Sequence, residues 1–208
     1  MKSYIALYLF FMALWASAMG RAAIANAPPP TPAQIQAPLK SGTDRERIIN
    51  TAAAEIGVTE ATGNNDGPRV EAYLKSVGLE RGQPYCAAFV YWCGQQALGS
   101  KNPFPRSGYS PDLCAQPTWS NGKGLPPRAG DTFGIYFPDK GRIAHTGLVA
   151  GTERDAGKWS APRGYLRTIE ANTSYSAASG SAADREGEGV HSKLRPLSTI
   201  RQVRAWLG

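Results

Sequence analysis

The feature that most constrains this chain is a change of pattern partway along it. Apolar residues recur at helical spacing up to Leu98, whereas from Thr132 onward they gather in short β-branched and aromatic runs bounded by Gly, Pro or charged turns. Helices first and strands afterwards imply an α+β fold, with N-terminal helices packed on a C-terminal antiparallel β-sheet. Thr43-Asp44-Arg45-Glu46 fits a capping box, followed by Ile48, Ile49, Ala52, Ala53 and Ile56 on one face, with Gly57 placed to stop the helix. Pro68 stands at a first helical position, and Val70, Tyr73, Leu74 and Val77 share a face before Gly78. A third helix runs from Cys86 to Leu98. The expected strands are Thr132–Phe137, Ile143–Val149, Tyr165–Thr173 and Thr199–Leu207. Between them, Gly99–Arg128 reads as a long connection and Ser174–Gly189 as an insertion without a core pattern.

Ahead of the first helix, Lys2 precedes an apolar run from Tyr4 to Trp15 and then small residues ending Ala16-Ser17-Ala18, the layout of a secretory leader. The run is shorter than the ~20 apolar residues of a spanning helix, so cleavage is expected rather than stable membrane insertion. A second Ala-x-Ala site, Ala23-Ile24-Ala25, leaves the cut at either place, and no Cys follows to make a lipoprotein. Residues 26–42 then carry five prolines among Ala and Gln, an extended spacer, which leaves 43–208 as one domain.

The formal charge of +7 is lowered by one or two if the leader is lost, since Lys2 and Arg21 lie in or beside it. A mildly basic surface suits an anionic partner, and wall polymer, membrane surface and nucleic acid all qualify. Lys and Arg are scattered rather than gathered on one helix, and an exported chain has little occasion to meet nucleic acid, so that class is set aside. All three cysteines follow the leader, and an odd count in an oxidising compartment suggests one bridge and one free thiol.

A thiol attacks as its thiolate, and the start of a helix stabilises that anion. Cys86 occupies such a place, whereas Cys93, two turns deeper on nearly the same face, is either an inert core residue or half of a bridge to Cys114. A nucleophilic Cys needs a base, and two histidines are available. His145 lies inside an expected strand, a rigid mount; His191 falls in a polar stretch and reads as an exposed loop residue. The base needs a group to set its tautomer, and Glu170 and Asn172, two apart on one strand, are candidates on the same side. The carboxylate is the stronger of the two, because it also stabilises an imidazolium. Gly63-Asn64-Asn65-Asp66-Gly67 is a turn without the ligand pattern of a calcium loop, and neither histidines nor cysteines show zinc spacing. No metal or cofactor is expected.

The ordered set Tyr85-Cys86-Ala87-Ala88-Phe89-Val90-x-Trp92, Gly130-Asp131, His145-Thr146-Gly147-x-Val149 and Glu170-Ala171-Asn172-Thr173 resembles the CHAP family of cysteine, histidine-dependent amidohydrolases/peptidases, within the papain-like peptidases. Gly63–Val70 and Arg185–Val190 are similar to a bacterial and phage subgroup, so the likeness spans most of the chain after the linker. It implies a papain-like fold and cleavage of an amide in peptidoglycan by Cys86, with His145 as base and Glu170 and Asn172 orienting it. The oxyanion would be met by the Cys86 N–H, with Gln83 a weaker second donor. Two features depart from the subgroup: Ala171 stands where Gly is frequent, and no wall-binding module is recognisable. An inactive wall-binding module and a transglutaminase-like thioacyl transferase are the competing classes.

Overall fold

The first helix starts where its capping chemistry dictates. Thr43 accepts from the Glu46 N–H at 3.3 Å and the Glu46 carboxylate accepts from the Thr43 N–H at 2.7 Å, so two otherwise orphan donors are satisfied reciprocally. In the computed structural model, which describes residues 42–176 and 180–208, this helix, α1, covers Asp44–Ala54. The expected leader and residues 26–41 of the spacer lie outside the described residues.

α1 ends two residues earlier than its apolar spacing suggested. Glu55 turns inward and is 2% exposed, where Arg69 grips both its oxygens at 2.5 and 2.6 Å. Beyond it Ile56 is left 41% exposed instead of joining the core. Arg69 belongs to α2, Pro68–Ser76, and its guanidinium also lies over the Trp92 ring at 4.5 Å. Trp92 is carried by α3, Cys86–Leu98, which is buried on nearly every side. That all-round burial fits a central helix packed against α1, α2 and the sheet, rather than a surface helix with one apolar stripe.

The second half forms a single seven-stranded sheet: β1 (Trp119–Ser120), β2 (Lys123–Gly124), β3 (Thr132–Phe137), β4 (Arg142–Gly151), β5 (Tyr165–Thr173), β6 (Gly189–Pro196) and β7 (Gln202–Arg204). Their spatial order is β2-β1-β7-β3-β4-β5-β6, with every pair antiparallel. The protein is therefore a mixed α+β domain over its described residues. The pleat of β3 sends Phe133, Ile135 and Phe137 into a core with Trp119, Val149, Leu166 and Val203. Thr132 and Gly134 face the other way, against a 3-10 turn, Ser110–Cys114: Thr132 donates to the Leu113 carbonyl, and a Cβ on Gly134 would stand 2.8 Å from the Cys114 sulfur.

Three expectations are corrected. β6 was not foreseen, because its polarity is inverted: Lys193 and Arg195 point inward at 8% and 1% exposure while Leu194 is 41% exposed. His191 consequently sits in this strand opposite Glu170, half-buried, and not in an exposed loop. The last expected strand, Thr199–Leu207, shortens to β7 because Leu197–Thr199 form a 3-10 turn. Among the described residues, no helix is long and apolar enough to cross a membrane.

Candidate active site

Cys86 is the first residue of α3, and the helix has no side-chain cap. The first intrahelical bond runs from the Phe89 N–H to the Tyr85 carbonyl at 2.8 Å, so the N–H groups ahead of it have no helical acceptor and leave a positive end at the thiol. The Ser110 hydroxyl lies 3.3 Å from the sulfur, and the Thr146 N–H also reaches it. Burial pushes the thiol up, but His145, the Ser110 hydroxyl and the Thr146 N–H outweigh it, and the net shift is downward from the ordinary thiol value.

β4 presents His145 to this helix start, entirely buried. Its Nε2 is 2.9 Å from Glu170 Oε2 on the neighbouring strand β5. The remaining ring nitrogen, Nδ1, makes no conventional hydrogen bond and is left for the Cys86 thiol, the ring's other interacting group. Burial disfavours the imidazolium, yet Cys86 and Glu170 outweigh that cost and push the ring up to about 9. Gly147 makes the approach of Glu170 possible, because a Cβ there would stand 2.9 Å from the Glu170 Cγ.

Glu170 is 0% exposed, and burial alone would raise its carboxyl. The Arg195 guanidinium, first by hydrogen bonding and then by charge, holds it well below the usual carboxylate range, with His145 adding to the effect. Arg195 reaches Glu170 Oε1 through Nε at 2.8 Å and Asp184 Oδ2 through Nη1 at 2.8 Å. Asp184, fully buried on the short helix α4 (Ala182–Arg185), also accepts from Lys193 Nζ at 2.8 Å. Two carboxylates and two cations thus form a neutral block behind the histidine, which keeps Glu170 ionised without leaving a net charge in the core. Sequence reasoning missed Arg195, Asp184 and Ser110. The first two lie in segments that read as polar; the signal that could have found Arg195 is the alternation of Val190, Ser192 and Leu194 with His191, Lys193 and Arg195, and Asp184 lies outside it. Ser110 sits in an irregular connection and carries no such signal.

The other candidate residues are placed elsewhere. Asn172 was expected beside Glu170, but it adopts a left-handed φ of 58° and the register of β5 with β6 shifts between Glu170 and Thr173. Its Nδ2 donates to the Arg185 carbonyl at 2.7 Å, so it does not hold the His145 ring. Gln83 is exposed in the turn before α3, and its side chain makes no hydrogen bond among the described residues. The possible Cys93 to Cys114 bridge is absent, for all three cysteines are free and buried. Cys93 packs in the middle of α3, whereas Cys114 ends the 3-10 turn 3.8 Å from the Thr146 hydroxyl. Asp131 pairs with Arg45 at 2.6 Å and accepts from the Arg128 N–H, a tie between α1 and the start of β3. Asp66 accepts from Thr62 twice within its own turn. No cluster of His, Cys, Asp or Glu suited to a metal occurs among the described residues.

Comparison with family models, curated proteins and solved structures finds no match to the chain. The chemistry therefore has to be read from the geometry: a thiol at a helix start, a buried imidazole facing it and an ionised carboxylate behind the imidazole. Such a set can hold a thiolate–imidazolium pair and pass one proton between sulfur, substrate and water.

Proposed function

We propose that the protein is an exported peptidoglycan hydrolase that cleaves an amide or peptide bond through a Cys86 thioacyl-enzyme, on a CHAP-type, papain-like fold. The observation that carries this reading is the line from the helix-opening thiol through His145 to Glu170, with Nε2 bound to the carboxylate at 2.9 Å. Because that nitrogen is occupied, the proton exchanged with substrate travels through Nδ1.

In the proposed reaction the Cys86 sulfur attacks the carbonyl carbon, and the carbonyl π electrons move to oxygen. The Cys86 N–H, at a helix start without a side-chain cap, would meet that oxyanion. As the tetrahedral adduct collapses, the C–N bond breaks and His145 gives its Nδ1 proton to the departing amine. A water molecule then loses a proton to the neutral ring and adds to the thioester. Expulsion of the thiolate releases the carboxylic acid and restores the imidazolium. The Glu170 carboxylate remains ionised throughout, fixing the ring and balancing its charge.

Digestion of purified peptidoglycan followed by mass spectrometry of the soluble fragments tests this. Expected are fragments with a new carboxyl and a new amine across one amide, absent with Cys86→Ala. Fragments carrying a new amide would identify a transferase, and unchanged wall would count against an enzyme acting on this polymer.

A further inference from the structure

Two elements reach Cys86, and each brings a neighbouring residue with it. The Ser110 hydroxyl, 3.3 Å from the sulfur, belongs to the 3-10 turn that directly follows Tyr109. His145 belongs to β4, whose first residue, Arg142, lies three positions earlier. Those two neighbours meet: the Arg142 guanidinium stands over the Tyr109 ring, 4.9 Å from its centroid. The contacts therefore close a loop, from the thiol through Ser110 and Tyr109 to Arg142 and back along β4 to His145. Three residues of strand span about 10 Å, which sets the scale of the distance from the base to Arg142.

Both residues are mounted on fixed backbone. Tyr109 is 48% exposed, yet its N–H donates to the Ser107 hydroxyl at 3.0 Å and its carbonyl accepts from the Asp112 N–H at 3.0 Å. Arg142, half-buried, follows the left-handed Gly141 of the hairpin and pairs with Phe137 in the β3–β4 ladder. Its Nη1 donates to the Ile143 carbonyl at 2.8 Å, and the Tyr109 ring supports the face of the guanidinium.

The charge of Arg142 is unmatched. Arg45, Arg69 and Arg195 each end on a carboxylate of the fold, Asp131, Glu55 and Glu170 respectively. Among the described residues Arg142 forms no ion pair. Asp139, in the same hairpin, pairs with Lys140 at 3.5 Å, and Asp112, in the turn after Tyr109, takes the Ser107 hydroxyl at 2.6 Å. A guanidinium already ordered by a ring and a carbonyl, but lacking a counter-charge, is preorganised for an anion. Its planar fork fits a carboxylate through two parallel N–H···O bonds. We infer that Arg142, braced by Tyr109, is a specificity residue that binds a free carboxylate of the substrate peptide, within about three residues of the scissile amide at ~3.3–3.6 Å per extended residue. This rests on the hydrolase reading for its substrate, though not for its binding chemistry.

The test compares carboxylates with their amides. Peptidoglycan whose free carboxyls have been converted to primary amides with carbodiimide and ammonia should be cut about tenfold more slowly than native wall, the scale of a hydrogen bond to a charged group. Arg142→Ala should lose the distinction and cut both materials at similar, reduced rates, while Arg142→Lys keeps part of it; thermal melting checks that each variant is folded. Tyr109→Phe, which keeps the ring, should retain the preference, and Tyr109→Ala should weaken it. In a binding arm, the isotope-labelled full chain carrying Cys86→Ala is titrated with Nα-acetyl-alanyl-alanine, with its C-terminal amide and with inorganic phosphate. Saturable shifts of the Tyr109 and Arg142 backbone amides are expected with the free acid and not with the amide, and Arg142→Ala should abolish them. A preference for native wall that survives Arg142→Ala in folded protein, equal shifts from acid and amide, or saturation by phosphate alone would overturn the carboxylate subsite. Acid-specific shifts without wall hydrolysis by the wild type would leave the subsite standing and remove the hydrolase reading. Hydrolysis indifferent to amidation, with no acid-specific shift, would do the reverse.

Discussion

The opening turn and the middle of α3 each hold a buried cysteine, and the two thiols are driven in opposite directions. Cys93 is 0% exposed and burial, with the Glu55 charge adding to it, pushes its thiol well above the ordinary value. Cys86 is 2% exposed, also penalised by burial, yet its thiol is pulled down by His145, Ser110 and Thr146. Residue type, helix and dielectric are nearly shared. What separates them is an imidazolium partner and free helix-end N–H groups at one place, and a carboxylate among apolar side chains at the other. Cys114, pushed up to about 12 by burial, repeats the behaviour of Cys93 although it lies nearer the site. Burial by itself makes a thiol inert; a buried thiol becomes reactive only where the fold brings positive charge to it.

The sharpest way to break this contrast is to remove each sulfur in turn. Cys86→Ala should lower wall hydrolysis by on the order of 10⁴-fold or more, as loss of a nucleophile does. Cys93→Ala should leave the rate close to wild type and register only as a loss of thermal stability from the small cavity left behind. Comparable losses from both, in protein of equal folded fraction, would erase the distinction.

Next in size is the base. His145→Ala should cost about 10²- to 10⁴-fold in turnover, the span of general acid–base effects, whereas His191→Ala should change it little. His191 stands across from Glu170 in β6, close enough to make the comparison demanding. A pH profile adds the sign. Hydrolysis should fall on the acid side as Cys86 takes a proton, below the ordinary thiol range, and fall again through about 9, where His145 loses the proton it must give to the leaving amine.

A smaller effect tests the carboxylate. Glu170→Gln should cut turnover by roughly tenfold to a thousandfold and lower the pKa of His145. It also strips a charge partner from buried Arg195, so a stability loss on the order of 3 kcal/mol should accompany it, read by thermal or denaturant unfolding. Asn172→Ala should act less on turnover, since the structure places its side chain on Arg185 and away from the ring. Smallest of all is Ser110→Ala, which removes one neutral hydrogen bond from the sulfur. It should raise the Cys86 pKa and slow the reaction by about two- to tenfold.

How much of this could be read in the sequence follows from which residues obey local rules. Thr43 and Glu46 start α1 by capping, Pro84-Tyr85-Cys86 marks the start of α3, and apolar runs delimit β4 and β5, so Cys86, His145 and Glu170 could each be placed on an element. Local rules fail where tertiary charge pairing governs. β6 turns Lys193 and Arg195 inward because Glu170 and Asp184 wait there, which inverts the expected alternation and hides both the strand and the Arg. Asn172 keeps company with Glu170 in the sequence but not in space, because a left-handed residue breaks the period of two. Ser110 arrives through a long irregular connection, and the spacing of Cys93 and Cys114 says nothing of how far apart their sulfurs lie.

The central claim is that Cys86 is the one activated thiol and that His145 activates it. The most direct measurement is the pH dependence of iodoacetamide alkylation, read at each cysteine by peptide mass mapping of the folded protein. Cys86 should be labelled with a midpoint below the ordinary thiol value of ~8.5. His145→Ala should move that midpoint upward, while Cys93 and Cys114 stay unlabelled until the protein unfolds. Labelling should not decline at about 9, because the thiolate survives loss of the imidazolium proton even though hydrolysis does not. A Cys86 midpoint at or above the ordinary value, indifferent to His145→Ala, or labelling of Cys93 or Cys114 at the same rate in the folded state, would contradict the claim.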